Sequence, residues 1–530
     1  MTGPPPPPRL TRISDYLFHW AERRPGALAM ALGEQRLTYA EASQQVRALS
    51  RALLASGVGK GDRVAMLCTP RPEFWLTFLA CADLGAIWLG LNPRYTTREL
   101  RYVVDDSRPR LLLALTEWEG RDYRPDLAAL AADRPELRLV TLGGPTANST
   151  PFRDFATEGA ALPDTDRLEA REAVGGRDPA LIVYTSGTTG QPKGAMLTHV
   201  GLVYCFTTQY LRMAAAPFVG LCNLPINHVG CVGDLCCTPL VGGGAIHFME
   251  RVDPAGILRL VAREQITFLG QVPTIFQLLA ALPEFPTADL SSLQLVSWGG
   301  AAMPRDLIEL YRRRTAAKLM VVYGLTEGTG SITYSDVDAD VDTLATTIGR
   351  PDPLLNVRLV AADGRPCGVG EEGEIQLRHD SVMAGYFNRP EATAEAFTAD
   401  GHLRTGDVAV RRPDGYLRLV GRLKEMYKSG GYNVYPREIE TCLESHPAVA
   451  MAAVIGVPDP TFQEVGHAFV LPHPGAAPDP AELTGWCRAR LANYKVPKRI
   501  TVAGTLPMLP VGKIDKQALK RHAAAAPGGP

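Results

Sequence analysis

Residues 184–197 read YTSGTTGQPKGAML, the strongest chemical signal in the chain. Thr185, Ser186, Thr188 and Thr189 supply hydroxyls, while Gly187, Gly190 and Gly194 let the backbone approach a ligand closely. Consecutive amides in such a loop form an anion nest, and Lys193 adds a positive charge on a long stem. That is chemistry for gripping phosphate. The loop is not a Walker A element, which needs G-x4-G-K-[ST]: here Gly187 and Gly190 are only three apart and Pro192 precedes the lysine. The alternative is a flexible surface loop. Its place directly after the apolar run Leu181-Ile182-Val183-Tyr184 tells against that.

The elements that must position this loop follow from periodicity. Through roughly the first 420 residues, short β-rich runs alternate with amphipathic helical runs, the pattern of α/β layers with mostly parallel sheets. Runs at 293–297 and 319–323 predict two more buried strands. A helix begins between them near Pro304, with Leu307, Leu310 and Tyr311 on one face and Arg312, Arg313 and Arg314 at its C-terminal end. Glycine turns follow both strands, where open α/β sheets place ligands. The apolar stretch 74–91 is broken by Asp83, Gly85 and Gly90, so it predicts a buried helix and strand and no membrane span.

From about residue 356 the texture changes to a small β subdomain, with strands at 356–361 and 374–378 around the Asp363-Gly364 turn. Beyond Arg422 a compact α+β module follows. Pro436 opens a helix with Ile439 and Leu443 on one face, 448–457 and 467–471 read as strands, 480–491 as a helix, and 472–479 as a loop. The expected architecture is a large α/β N-terminal body of several subdomains (1–422) and a small mobile C-terminal domain (425–530), hinged at Lys424.

Composition narrows the function. Fifty-five Lys and Arg balance 56 Asp and Glu, so the net charge of −1 gives no basis for a nucleic-acid or anionic-membrane partner. Any phosphate must be gripped locally. Ten cysteines in 530 residues, with no CxxC pair, are too sparse for a disulfide scaffold. Residues 1–9 hold five consecutive prolines and no apolar core of a signal peptide, and read as a short extended tail. A cytoplasmic protein is expected. His228, Cys231, Cys236 and Cys237 superficially suggest a metal site, but the spacing fits no standard zinc pattern, and that reading is rejected.

Further motifs occur in order along the chain. They are Asn227-His228-Val229-Gly230, Gly299-Gly300-Ala301, YGLTE at 323–327, GEIQLRHDSVMAGYF at 373–387, RTGD at 404–407, GRLKEMYKSGGYNVYPREIE at 421–440 and PMLPVGKIDK at 507–516. Together with the glycine-rich loop they resemble the adenylate-forming superfamily, which includes acyl- and aryl-CoA synthetases, peptide-synthetase adenylation domains and beetle luciferases. Taken singly, Tyr323 reads equally well as core, Asp407 as a turn cap and Arg422 as a strand-end charge. The ordered set favours the functional reading.

The resemblance implies a role for each position. Residues 185–190 and Lys193 would bind the ATP phosphates, Thr326 the α-phosphate, and Glu327 would be the Mg²⁺ carboxylate, a hard oxygen donor for a hard cation. Tyr323 would stack on adenine, beside Gly300, Ala301 and Gly324. Asp407 would accept both ribose hydroxyls, with Arg422 a second ribose or phosphate contact. Lys513 would reach the junction of acyl carboxylate and α-phosphate and stabilise developing charge; Lys516 and Lys520 read as ordinary surface lysines. Rotation at Lys424 would exchange the face carrying Lys513 for the face at 428–431, where Gly430 and Gly431 would line a pantetheine tunnel. His228 would be the aromatic gate near the substrate carboxylate. Val229 stands where amino-acid-activating members place an aspartate, and an unpaired ammonium in an apolar pocket is costly. Trp298 reads as pocket wall or as core.

The implied activity is an ATP- and Mg²⁺-dependent acid–CoA ligase. Carboxylate attack on ATP gives acyl-AMP and pyrophosphate; the CoA thiolate then takes the acyl group and AMP leaves. The acid is expected to be a medium- or long-chain fatty acid or an aromatic or alicyclic acid. Rival readings are an enzyme loading a carrier-protein phosphopantetheine, a luciferase-like oxygenase, and a catalytically silent nucleotide-binding protein. The oligomeric state is left open, a homodimer being compatible.

Overall fold

The computed structural model describes residues 6–185, 191–213, 215–508 and 514–525. Ser186, Gly187, Thr188, Thr189, Gly190 and Lys513, all expected site residues, lie outside the described residues.

Two large sheets make up the N-terminal body. A nine-stranded sheet has six adjacent parallel strands: Lys318–Leu325, Leu295–Trp298, Phe268–Gln271, Val219–Cys222, Ala245–Phe248 and Leu28–Leu32. An eight-stranded sheet likewise has six, including Pro179–Thr185, Ile87–Leu91 and Arg63–Leu67. Strands such as Leu111–Leu115 are buried at every residue, as a parallel sheet covered on both faces requires. The helix Arg305–Arg314 follows Pro304 and buries Leu307, Ile308 and Tyr311. Consequently the carboxyl ends of three strands open onto the expected motifs. Thr185 leads into the glycine-rich loop, Trp298 into Gly299-Gly300, and Leu325 into the 3-10 turn Thr326–Gly328. Among the described residues no helix is long and apolar enough to cross a membrane.

The small β subdomain is a four-stranded antiparallel sheet of Asn356–Val360, Glu372–Arg378, Leu403–Arg411 and Leu417–Arg422. Beyond Lys424 the chain builds its own five-stranded sheet and its own apolar clusters. There the helices Pro436–Glu444, Pro480–Arg488 and Lys516–Ala525 carry Ile439, Leu443, Leu483 and Leu519 inward. Tyr435 packs from this unit onto Val408, Val410 and Val420 of the β subdomain. Lys516 is not the surface lysine its sequence context suggested. Its ammonium ion-pairs with Glu425 beside Lys424 and lies 2.7 Å from Glu440 on the helix Pro436–Glu444. Burial opposes that charge, but the two carboxylates outweigh it and hold the lysine above its ordinary value. Lys520 is exposed.

The polar break in the apolar segment has a partner far along the chain. The helix Pro72–Leu84 is buried almost throughout, and Asp83 within it is fully sealed from solvent. Its carboxylate accepts from Arg167 and Arg171, each at 2.8 Å, and from Ser50 at 3.1 Å. Arg167 is itself 1% exposed. Arg167 keeps Asp164 as a second partner at 2.7 and 2.9 Å, so Asp83→Ala removes one of its two anions, and the expected loss is about 1.5–3 kcal/mol in urea unfolding. An unchanged midpoint would show that water enters and solvates Arg167.

Candidate active site

The nucleotide end of the site is built where two sheets meet. Tyr323, near the end of the strand Lys318–Leu325, donates its hydroxyl to Asp407 Oδ2 at 2.6 Å. Asp407 lies in the strand Leu403–Arg411, directly opposite Arg422 in the antiparallel ladder. Arg422 Nε is 2.9 Å from the other oxygen, Oδ1, yet that oxygen has no aligned hydrogen-bond donor although it is sealed from solvent. The carboxylate thus faces one phenol and one guanidinium and keeps lone pairs that a hydroxyl could use, which is the chemistry a ribose would need. Burial and the Asp407 charge both push the Tyr323 hydroxyl well above its usual value, so the tyrosine stays a neutral donor. Beside it, Gly300 and Ala301 are exposed after the strand Leu295–Trp298, and Gly324 is exposed in the neighbouring strand.

The phosphate end centres on Glu327. Its Oε1 accepts the Tyr386 hydroxyl at 2.9 Å and the Thr185 hydroxyl at 3.3 Å. Thr185 pairs with Lys193 in the hairpin that flanks the glycine-rich loop. The Lys193 ammonium lies 5.4 Å from the centre of the Tyr386 ring, within cation–π range. Glu327 is half-buried, and with one oxygen held by two hydroxyls it is a pre-positioned hard donor that fits a Mg²⁺ ion. Thr326 opens the same turn. Tyr386 was not singled out from the sequence. It lies inside the 373–387 motif, but its partner is distant: the short strand Gly385–Tyr386 pairs with the strand Lys193–Thr198, which brings it to Glu327.

On the acyl side, His228 heads a π-helix, Gly230–Cys237, and its Nδ1 accepts the Gly230 amide at 2.9 Å. Val229 is buried. Asn227 donates to the Tyr95 hydroxyl at 3.0 Å. Trp298, read as wall or core, is 1% exposed and packs in the cluster holding Phe276 and Tyr311. The rejected histidine–cysteine grouping is rearranged. Cys231 and Cys236 meet Cys222, with sulfurs 3.4 Å and 3.5 Å apart from that of Cys222, and the three lie within 4.8 Å of one another. Burial pushes the Cys231 and Cys236 thiols well above their usual range, while at Cys222 hydrogen bonds from these two outweigh burial and bring its thiol down to about 6.

Lys424 sits exposed in the turn after Arg422, whose carbonyl accepts the amides of Glu425 and Met426. Gly430 and Gly431 form the two-residue connection between the strands Tyr427–Ser429 and Tyr432–Val434, both with positive φ, +58° and +85°. That is the demand of a tight hairpin turn. A Cβ at Gly431 would meet nothing within 4 Å. Met508 and Ile514 form an antiparallel bridge, and Lys516 ion-pairs with Glu425.

The chain's relatives fit this geometry. Residues 17–387 match the model of the AMP-binding enzyme family, and 438–513 that of the AMP-binding enzyme C-terminal domain. The chain belongs to the AMP-binding enzyme family. It is 39% identical over 511 residues to a feruloyl-CoA synthase of an Amycolatopsis species, covering 96% of this chain and 99% of that one. It is 34% identical to an indoleacetate–CoA ligase of Aromatoleum aromaticum, covering 97% and 98%. Among solved structures, ATP-bound MatB from Rhodopseudomonas palustris superposes with a TM-score of 0.87 at 29% identity, covering 98% of this chain and 99% of the other. The protein is an AMP-binding enzyme of the acid–thiol ligase type, with the mixed α/β body and smaller C-terminal unit of its relatives.

Tyr386→Phe removes one hydroxyl from Glu327. It is expected to slow pyrophosphate release about tenfold, the scale of one hydrogen bond to a charged group, with the Michaelis constant for the acid little changed. Asp407→Ala should instead raise the ATP requirement. Steady-state kinetics on both variants separates the two ends of the site; equal effects on every constant would argue against the division.

Proposed function

We propose that the chain joins an uncharged-tail carboxylic acid, aromatic or alicyclic in preference to a long aliphatic chain, to coenzyme A in two half-reactions at one site. The observation that carries this is the pairing of two pre-set acceptors. The sealed Asp407 Oδ1 beside Tyr323 suits a ribose, and the hydroxyl-held Glu327 beside Lys193 suits a metal-bound phosphate chain. Glu327 would hold Mg²⁺, which neutralises phosphate charge. Thr185, Lys193 and Thr326, with Ser186, Gly187, Thr188, Thr189 and Gly190, would orient the phosphates, and Gly300, Ala301 and Gly324 would border the adenine. The carboxylate of the acid, near His228, attacks the α-phosphorus; the α–β bridging bond breaks and pyrophosphate leaves.

Lys513 would stabilise the charge that develops in this step. After rotation at Lys424 within a body of residues 1–422 and a mobile unit of 425–530, the CoA thiolate would enter past Gly430 and Gly431 and displace AMP. Val229 leaves no anchor for an α-ammonium, which supports a simple acid over an amino acid. The ten cysteines are all free thiols, which fits a reducing cytoplasmic setting.

Half-reactions measured separately test the scheme. Lys513→Ala should lose adenylation by about 10²-fold or more, the scale of one preorganised transition-state donor, yet still form thioester from presynthesised acyl-AMP and CoA. Gly431→Asn, which tolerates positive φ, should keep pyrophosphate release and slow transfer to CoA. If both variants slowed both halves equally, a single fixed site would be the better account. Strong exchange with free amino acids and none with aryl acids would overturn the substrate class.

A further inference from the structure

The π-helix Gly230–Cys237 sets two side chains together that an α-helix would separate. Cys231 and Cys236 are five residues apart. At about 100° per residue, an α-helix would leave them about 140° apart around its axis, close to opposite faces. The i→i+5 winding of a π-helix returns the chain to nearly the same side after five steps. Both sulfurs here turn to Cys222, the last residue of the strand Val219–Cys222. Cys222 Sγ is 3.4 Å from that of Cys231 and 3.5 Å from that of Cys236, and all three lie within 4.8 Å of one another. Each residue is 0% exposed. Cys222 stands outside the sequence spacing that superficially suggests a zinc site, so only the fold completes this group.

The triangle of sulfurs has the size of a coordination site. With sides of 3.4 Å and 3.5 Å and a third side of at most 4.8 Å, its centre lies about 2.0–2.4 Å from each corner, which brackets a thiolate–metal bond of about 2.3 Å. An atom that takes the place of the three thiol hydrogens reaches all three sulfurs without a preformed cavity. Charge then selects the atom. Zinc wants a fourth ligand, and with three thiolates it leaves a net charge of −1; monovalent copper leaves −2. Either charge is costly where burial holds the Cys231 and Cys236 thiols neutral. A trivalent soft element cancels the three thiolates.

We infer that Cys222, Cys231 and Cys236 form a chelating site for a trivalent soft metalloid, with arsenite as its simplest ligand. The site is separate from the ligase reading and stands whichever acid the enzyme takes. The exchange balances without an oxidant or reductant. Arsenous acid, As(OH)3, meets three thiols; three As–O and three S–H bonds break, three As–S bonds form, and three waters leave. The product is neutral, as a dry site requires. Cys222, brought down to about 6 by its two neighbours, supplies the thiolate that opens the exchange. Because all three residues are fully buried, uptake waits on local opening of the chain and is slower than mixing.

The test incubates the reduced full-length protein with sodium arsenite, and in parallel with zinc, then removes free ions and measures bound arsenic or zinc per chain. X-ray absorption at the arsenic edge reads the neighbours of the bound atom. The expected result is one arsenic per chain with three sulfur neighbours and no oxygen, and no zinc retained. Cys222→Ala, Cys231→Ala and Cys236→Ala should each weaken arsenite binding about 10²-fold or more, the scale on which a further tethered contact adds to avidity. Cys442→Ala, at a partly exposed thiol on another domain, should leave binding unchanged. The absorption edge of the wild-type protein decides the matter even if a cluster variant fails to fold. No arsenic retained, oxygen in its coordination shell, zinc held in its place, wild-type affinity in all three cluster variants, or loss of binding in Cys442→Ala would each overturn the inference.

Discussion

A carboxylate taken almost wholly out of water has to be answered by donors, and Asp407 is answered from two directions. Tyr323 reaches it from the nine-stranded sheet and Arg422 from the adjacent strand of the small β subdomain. This one group therefore ties the large body to the subdomain, and the arginine that touches it is the last ordered strand residue before Lys424. Tyr323 and the strand that runs into Lys424 share a single electrostatic anchor.

The second anchor follows the same logic with a different carboxylate. Glu327 is held by the Tyr386 and Thr185 hydroxyls, so its orientation is set before any phosphate arrives. Preorganisation of this kind is what makes electrostatic stabilisation effective, since no reorganisation is then needed during reaction. The glycine-rich loop is flanked by the hairpin that presents both Thr185 and Lys193. Anything that moves that hairpin moves Thr185, Lys193 and a partner of Glu327 together.

The C-terminal unit is attached by contacts of a different character. Tyr435 packs on three valines of the β subdomain, and Lys516 binds one carboxylate beside Lys424 and one on the unit's own helix. A small apolar patch and an ion pair near the linker are the kind of interface that permits relative motion of domains.

Much of this was legible in the residue order alone, and for a local reason. Apolar runs such as Leu181-Ile182-Val183-Tyr184 can only be buried strands, glycines after them must be turns, and Pro436 ahead of Ile439 and Leu443 marks a helix start. Each of these follows from interactions within a few residues. The ordered motifs likewise singled out Tyr323, Glu327 and Asp407 as expected site residues. Tertiary structure alone decided which distant partner answers each polar group. Asp83 could be seen as a break in an apolar segment but not as the acceptor for Arg167 and Arg171. Tyr386 gave no sign that it would orient Glu327, and Lys516 looked like a surface charge. A buried charge is stabilised or left wanting by atoms brought close in space from far away in the chain. Its role is set by that juxtaposition, which no local pattern encodes.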